Sequence, residues 1–566
     1  MKKPALIIPL VLFGIVARCS AQQHKVKPEA QAAFDQGSKL PLGDAAELAL
    51  YRKALDLDPD FPQAQQMYIL AYVYGVQPHS GTDAEKAAAR KKAQSDLAQS
   101  YEKSVKEHPK DAVYPWALGI MNEYEDPPRS VEYYKQAIAV DPNFGPAYDS
   151  LAITAEAQGK LDESSAYAKK AYEAWPDSVS IWRHYVGSFT VAGKNSELES
   201  VKNTILQGAS KFPEEAVHML GYVGGRSTDP EQARSIYELI LQRFPRRIGG
   251  YTLLPLFNLD IKSDPQSAAQ LADTVLKTVG ESGSKDDIAE TTKVWTPLSN
   301  YAKALVKART QIAAGDSAAA LATLDHVGTL ARPVDKTPLK LASTSALDAM
   351  GQTAKAYADL TTFVATTPSK AAYTDLLRYA SKLSKDKNQV DADVVTARLN
   401  ASKPGKPFQL TDYATGKPVS LSDYKGHVVL VNFWYPECGP CRGEFPYLQM
   451  ALDKYKDRGF VILAINGHSP EDEWVMPLIR GWGLGFTPLK GTEETMKDYG
   501  VKGFPGNFLY GADGRIYPMP SSVRPDSLEQ FELQIEGLLM QAKEPPVKQQ
   551  SSTRVTLQQL NVERGQ

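Results

Sequence analysis

Apolar residues recur with two different periods along the chain. Between about residues 45 and 385 they recur at helical spacing, and no run alternates as a half-buried strand does. In the clearest unit, apolar residues at positions i, i+3, i+4 and i+7 share one face of a helix. They are Tyr148, Leu151, Ala152 and Ala155. Beyond residue 403, continuous apolar runs such as HVVLVNFW (427–434) and FVILAIN (460–466) predict strands buried on both faces.

Prolines punctuate the helical segment at regular intervals. Pro109, Pro142 and Pro176 are 33 and 34 residues apart, and each follows a predicted helix. This period, with its helix–turn–helix pattern, resembles the tetratricopeptide repeat. The resemblance implies a solenoid of helix pairs, and the concave face of such arrays often binds a peptide or a protein. A plain structural spacer is the alternative, because no residue of the segment identifies a ligand.

The charge balance argues against two classes of partner. The 566 residues include 64 Lys and Arg against 66 Asp and Glu, which gives a formal net charge of −2. This balance provides no electrostatic reason to expect a nucleic acid or an anionic membrane surface as partner. We therefore expect no nucleic-acid partner.

The N-terminus has the pattern of a signal peptide. Two lysines precede the apolar run Pro4–Ala17, which is too short to span a bilayer comfortably. Small residues at Cys19 and Ala21 predict cleavage after Ala21. An uncleaved membrane anchor and a lipoprotein attached through Cys19 are the alternatives. The pattern predicts an exported protein of the periplasm or cell envelope.

Cysteines are few, and two of them form a close pair. Besides Cys19, the chain has only Cys438 and Cys441, separated by Gly439 and Pro440. A disulfide across so short a loop constrains little unfolded-chain entropy and is a poor structural staple. A metal site would need two more ligands, and the eight histidines show no ligand spacing. We expect a redox-active pair, with no metal and no other cofactor; an inert disulfide is the alternative.

The two cysteines stand where a buried strand meets a helix. The strand at 427–434 leads into them, and the amphipathic segment 443–457 follows. The predicted order continues with a second strand, a short helix, a hairpin around the turn 511–514 and a closing helix at 526–542. A C-x-x-C motif at the first strand-to-helix junction of such an α/β unit is the thioredoxin-like signature.

Residues 403–542 resemble the exported TlpA/ResA-type thiol–disulfide oxidoreductases, which have a thioredoxin fold. The matching stretches are VSLSDYKGHVVLVNFWYPECGPCRGEFP (419–446) and YGVKGFPGNFLYGADGRI (499–516). The resemblance implies an enzyme of the protein-disulfide reductase type. It also implies a cis bond between Phe504 and Pro505, with Pro505 holding a substrate backbone beside the sulfurs.

The position of the motif suggests separate roles for the two sulfurs. The first cysteine is expected at a helix N-terminus, where unpaired backbone N–H groups and the helix dipole favour a thiolate and lower its pKa from about 8.5. Cys438 is therefore the predicted nucleophile, and Cys441, nearly one turn further on, resolves the mixed disulfide. Gly439 allows a partner to approach closely, and Pro440 limits flexibility at the start of the helix.

Three more residues are expected to support the site: Trp434, Glu437 and Phe504. The Glu437 carboxylate has two possible orientations. Facing Cys438, it would raise the pKa of that thiol and make the couple more reducing. Facing solvent, it would alter only the charge that a docking partner meets.

The chain departs from thioredoxin at positions that surround the motif. Asn432 stands where thioredoxin has a buried, titrating Asp, and the TlpA/ResA group resembles this chain in having Asn there. Gly506 and Asn507 stand where relatives often have threonine, so the resemblance assigns no substrate contact beyond Pro505. Glu444 is either a proton relay or an acid in the first helical turn, stabilised by the helix dipole.

The sequence thus predicts a multi-domain chain with an α-helical repeat solenoid followed by an α/β thioredoxin-like fold. The segments are a signal peptide (1–21), an N-terminal leader (22–44), a tetratricopeptide-like solenoid (45–387), a linker (388–403), a thioredoxin-like domain (404–542) and a disordered tail (543–566).

The predicted function is an exported thiol–disulfide oxidoreductase. It would act on protein thiols and disulfides, mainly as a reductase, and take electrons from an upstream donor. The helical repeats would bind a peptide or protein partner. The alternative is a scaffold or receptor whose thioredoxin-like domain is a docking module, although docking alone needs no thiols.

Overall fold

The structure is a computed structural model of the chain. It describes residues 25–75, 83–123, 126–190, 198–227, 229–248, 251–328, 330, 334–436, 438–468 and 472–542. The predicted signal peptide (1–21) and tail (543–566) therefore lie outside the described residues. Within the described ranges, no helix has the length and apolar composition needed to cross a membrane.

Helices account for most of the described residues up to Ala401. They are α1 (Pro28–Gly37), α2 (Ala45–Leu57), α3 (Pro62–Gly75), α4 (Asp83–Glu107), α5 (Val113–Asn122), α6 (Pro127–Val140), α7 (Gly145–Ala157), α8 (Leu161–Ala174), α9 (Val179–Thr190), α10 (Leu198–Gly208), α11 (Pro213–Gly224), α12 (Pro230–Arg243), α13 (Leu254–Ser263), α14 (Pro265–Ser282), α15 (Lys285–Ala313), α16 (Ser317–Asp325), α17 (Thr337–Ala349), α18 (Thr353–Thr366), α19 (Lys370–Lys382) and α20 (Lys387–Ala401).

The chain divides into two compact units. The first comprises the residues up to Leu151 together with Tyr167–Trp182, and the second comprises Ala152–Ala166 together with the residues from Arg183 onward. The C-terminal α/β domain and helices α10–α20 therefore belong to the same unit.

The periodic prolines lie in the turns between helices. Pro109, Pro142 and Pro176 follow the ends of α4, α6 and α8 directly. Proline fits there because it lacks the backbone N–H that a continuing helix would need. The predicted helical array is confirmed, and short turns join many of its consecutive helices.

Aromatic side chains fill the core of the first unit. Phe144 lies between Trp116 and Trp175, with both ring centroids 5.8 Å away and both pairs edge-to-face. The buried indole Nε1–H of Trp116 donates to Ser150 Oγ at 3.0 Å, so its polar atom is satisfied.

Helices are present in two segments for which the sequence analysis predicted none. Helix α1 lies inside the predicted leader (22–44), where its buried contacts are the small residues Ala30 and Ala33. Helix α20 occupies most of the predicted linker (388–403). A capping box between Asp386 and Gln389 starts α20, and its Val390 packs in the core with α18 and α19. Both helices bury too few apolar side chains to produce a strong periodic signal.

The C-terminal domain is an α/β sandwich around one mixed sheet. Its strands are β1 (Lys403–Pro404), β2 (Gln409–Asp412), β3 (Pro418–Ser420), β4 (Val428–Trp434), β5 (Phe460–Asn466), β6 (Thr487–Lys490), β7 (Gly506–Tyr510) and β8 (Arg515–Tyr517). Its helices are α21 (Gly439–Tyr455), α22 (Asp472–Gly481), α23 (Glu493–Tyr499) and α24 (Leu528–Gln541). The order in the sheet is β1-β8-β7-β4-β5-β6-β2-β3.

Strand β4 lies inside the sheet and is buried along its whole length. It runs parallel to β5 and antiparallel to β7. Leu430 and Trp434 pack with α21, α22 and α24 on one face, whereas Val431 and Phe433 pack with α23 on the other. Because both faces are covered, the strand reads as a continuous apolar run.

Strand β6 and helix α22 were absent from the predicted element order. Each contains an internal proline, Pro488 in β6 and Pro477 in α22. Proline weakens a strand or helix assignment from sequence, because it removes a backbone donor in either element.

Side-chain hydrogen bonds join the C-terminal domain to the helices of its own unit. The buried Tyr447 hydroxyl contacts the carbonyl oxygens of Gly225 at 3.0 Å and Ser227 at 2.9 Å. The Asn258 amide donates to the Asp526 carboxylate at 2.8 Å. Tyr447 lies in α21, so the helix that follows the cysteine pair is attached directly to the end of α11.

We expect Tyr447→Phe to weaken this attachment by about 1–2 kcal/mol, because it leaves buried carbonyls without their donor. Hydrogen exchange of the α11 and α21 amides would measure the change in opening free energy. Tyr167→Phe is the matched control, since no hydrogen bond of the Tyr167 hydroxyl is present among the described residues. Equal protection in Tyr447→Phe and the wild type would contradict the assignment.

Candidate active site

The cysteine pair lies at the N-terminus of α21. Cys438 is the N-cap residue, and its Sγ accepts a hydrogen bond from the Cys441 backbone N–H at 3.2 Å. Pro440 occupies the first turn, where its missing N–H costs nothing. The two sulfurs are joined as a disulfide. The geometry therefore places the Cys438 sulfur where helix N–H groups stabilise negative charge.

Both cysteines are deeply buried. Cys438 is 2% exposed and Cys441 is fully buried, within an apolar cluster that includes Trp434 and Phe445. The rings of Trp434 and Phe445 meet edge-to-face with centroids 5.2 Å apart. Trp434 thus supports the wall behind the disulfide. Glu437 lies outside the described residues.

The loop before β7 lies beside the cysteine segment. Gly506, the first residue of β7, pairs with Phe433 near the end of β4, so Pro505 adjoins the chain that leads to Cys438. The Phe504–Pro505 peptide bond is cis. The Phe504 ring meets Tyr435 edge-to-face at 5.2 Å between centroids. The structure therefore brings Phe504 and Pro505 to the same edge of the sheet as the disulfide.

A buried carboxyl group lies one turn beyond Cys441. Glu444 is 1% exposed, and it accepts hydrogen bonds from the Asn432 and Asn507 side chains and from the Val523 backbone N–H, at 2.9–3.2 Å. Burial raises the pKa of Glu444 to about 7, although these donors oppose the shift. Residues three apart share a helix face, so this titrating group lies on the Cys441 side of α21.

Two asparagines on neighbouring strands hold this carboxyl group. Asn432 in β4 and Asn507 in β7 are register partners. Asn432 Nδ2 also donates to Asn507 Oδ1 at 2.7 Å, which orients the second amide towards Glu444. Asn432 therefore does not titrate, but it positions a residue that does.

The hydrogen-bonded group of Glu444, Asn432 and Asn507 was only partly predicted from the sequence. Glu444 was expected as either a proton relay or a first-turn acid stabilised by the helix dipole, and the structure places it in the interior. The available signal was the pair Asn432 and Asn507, because amides in otherwise apolar strands need partners when buried. Among the described residues, no group of three or more His, Cys, Asp or Glu side chains is arranged to hold a metal ion.

Comparison with known proteins gives matches in this domain. A model of the AhpC/TSA family matches residues 402–519. The thiol-disulfide oxidoreductase ResA of Bacillus thuringiensis subsp. konkukian is 33% identical over 120 residues, which are 21% of this chain and 68% of the relative. ResA of Bacillus subtilis is 31% identical over 122 residues, 21% of this chain and 67% of the relative.

Solved structures are also similar to this part of the chain. One is the solution structure of a thiol:disulfide interchange protein from Bacteroides sp. It is 27% identical, covers 25% of this chain and 93% of its own, and has a TM-score of 0.22.

The C-terminal domain is a thioredoxin-fold thiol–disulfide oxidoreductase domain, with its C-x-x-C pair closed as a disulfide. Through this domain the chain belongs to the family of ResA thiol-disulfide oxidoreductases. Helices α1–α20 precede the matched region almost entirely, so they are additional to the catalytic fold.

The raised pKa of Glu444 predicts a pH-dependent stability. The folded domain keeps this proton between pH 4.5 and about 7, where the unfolded chain has lost it. Stability conferred by this group therefore falls as pH rises through that window, by about 3 kcal/mol in total.

Glu444→Gln should remove that dependence. The measurement is the opening free energy of β4 amides by hydrogen exchange at several pH values, in the wild type and in the variant. We expect the wild-type advantage to shrink between pH 4.5 and about 7 and to stay constant above. Parallel pH profiles for the two proteins would contradict a buried, titrating carboxyl group.

Proposed function

We propose that this protein is an exported reductase of protein disulfides, with Cys438 as nucleophile and Cys441 as resolving thiol. The observation that carries the proposal is the Cys438–Cys441 disulfide at the N-terminus of α21. Glu444, buried one turn further on, and the Pro505 loop at the adjoining sheet edge support it.

The reaction begins with the reduced dithiol. The Cys438 thiolate attacks one sulfur of a partner disulfide, forms a mixed disulfide and releases the first partner thiolate. Cys441 then loses its proton and attacks the Cys438 sulfur, which restores the Cys438–Cys441 disulfide and releases the second partner thiolate. Two electrons pass from the dithiol to the partner disulfide, and a donor dithiol must re-reduce the pair.

Glu444 accepts the proton that the Cys441 thiol loses before it attacks the mixed disulfide. Burial disfavours a thiolate at Cys441, so resolution needs a nearby base. A carboxyl group with a pKa of about 7 is half-ionised near neutral pH, where it can accept and return a proton. Asn432 and Asn507 hold its oxygens in place through the cycle.

Three further parts of the chain are assigned roles in substrate binding, partner binding and export. Pro505 holds the substrate backbone beside the sulfurs, supported by its place next to the Phe433–Gly506 pair. The helical array binds a protein or peptide partner, as its stacked helix pairs suggest. Export to the periplasm or cell envelope is supported by the apolar run Pro4–Ala17 near the N-terminus.

Single cysteine variants test the division of roles. Cys441→Ser keeps the nucleophile without its resolving thiol, so it should accumulate mixed disulfides that non-reducing electrophoresis detects. Cys438→Ser is the matched control and should trap little, because Cys441 lies inside α21 and lacks the N-cap position that favours a thiolate. Both variants should lose disulfide reductase activity by a factor of at least about 100. Equal trapping by the two variants, or retained activity, would overturn the assignment.

The reduction potential of the pair tests the direction of exchange. We expect a value near that of thioredoxin, about −270 mV, since a reductase must have a lower reduction potential than the disulfides that it reduces. Equilibration of the full chain in dithiothreitol buffers, followed by thiol alkylation and mass spectrometry, measures it. A potential near about −120 mV would make the protein an oxidant and would refute the reductase proposal.

A further inference from the structure

A cavity of about 550 Å³ lies away from the cysteine pair, bounded by helices α18, α19, α20 and α24. Its walls are largely apolar, with Val364, Val394, Val395, Leu533 and Met540 among the lining residues. The volume is within the range of small-molecule sites, roughly 300–1,000 Å³. The size and lining therefore suit a compact ligand with an apolar body.

A buried arginine reaches this cavity. Arg398 in α20 is 8% exposed and lines the cavity wall. Within the part of the chain that the structure describes, its Nε has no hydrogen-bond partner and its guanidinium group takes part in no ion pair. A buried guanidinium N–H without an acceptor is costly, so its retention here requires an explanation.

A glycine makes room for this arginine. A Cβ placed on Gly537 would lie 2.6 Å from Arg398 Nη2 and 2.8 Å from Cζ, so any larger residue would displace the guanidinium group from its place against α24. Gly537 stands in the interior of α24, where glycine is the least favourable residue after proline. Gly537 thus lowers the helix propensity of α24 but leaves space for the Arg398 guanidinium group at the cavity.

The acidic groups at the cavity make their close contacts with other residues, although Asp391 still attracts Arg398 electrostatically. Lys387 pairs with Asp391 at 2.5 Å, and Glu536 accepts a hydrogen bond from the Tyr455 hydroxyl at 2.8 Å. The amide of Gln541 also lines the cavity, and neither its Oε1 nor its Nε2 has a partner among the described residues. The cavity therefore combines apolar walls with a buried guanidinium group that has an unused N–H donor and with one unused amide, and Lys370 adds a second cation to its lining.

We propose that this cavity binds an amphipathic organic monoanion, with its carboxylate on Arg398 and its apolar body between α18, α20 and α24. A guanidinium group offers a planar fork of donors that matches the two oxygens of a carboxylate. The Gln541 amide supplies a further donor. This ligand site is independent of the disulfide chemistry.

Decanoate is the probe, used with the full-length protein by isothermal titration calorimetry below its micelle-forming concentration. The wild type should bind it at one site, and decanol should bind at least tenfold more weakly because it lacks the charge. Arg398→Gln should weaken decanoate binding at least tenfold, and Val395→Trp should abolish it by filling the cavity. Arg398→Lys should recover part of the affinity.

Arg243→Gln is the matched control, because Arg243 is exposed on α12 and should leave decanoate binding unchanged. A circular dichroism spectrum and a thermal midpoint equal to those of the wild type establish that the Arg398 variants fold. Three results would overturn the proposal: no binding of decanoate to the wild type, equal binding to folded Arg398→Gln, or equal affinity for decanol. None of these outcomes depends on the reductase assignment.

Discussion

The pairing of β4 with β7 is the constraint on which the site depends. Strand β4 is buried on both faces, so its register is specified by every apolar side chain along it. That register sets Asn432 opposite Asn507 and Phe433 opposite Gly506. A slip of one residue would turn the two amides away from Glu444 and displace Pro505 from the cysteine segment. Core packing thus positions both Glu444 and the Pro505 loop relative to the cysteine segment.

The interior that gives this precision also sets the acid–base chemistry. An apolar surrounding disfavours charge, so it raises the pKa of Glu444 to about 7. For the same reason, negative charge on sulfur is favoured only at the helix N-terminus, where backbone N–H groups stabilise it. The two sulfurs are therefore inequivalent although they are three residues apart. One cap position and one buried carboxyl group create this asymmetry.

Local patterns predicted the elements that bury long apolar runs and the motif between them. Strands β4 and β5, helix α21 and the turn prolines of the array could all be read from the sequence. Helix α1 could not, because it buries mainly alanine, and β6 was hidden by Pro488. The interior position of Glu444 depends on amides contributed by strands 12 residues before it and 63 residues after it. Only the assembled sheet brings those groups together.

The burial of Cys438 has a kinetic consequence. With 2% of its surface exposed in the disulfide form, the Cys438 sulfur can meet an attacking thiolate only when neighbouring groups move aside. Opening then precedes chemistry, and the observed rate contains the frequency of that motion as well as the reactivity of the thiolate. Two partners with equal thermodynamic driving force would be separated by how well each one stabilises the open form. The selectivity of this protein would then depend on the rate of opening as well as on the reduction potential.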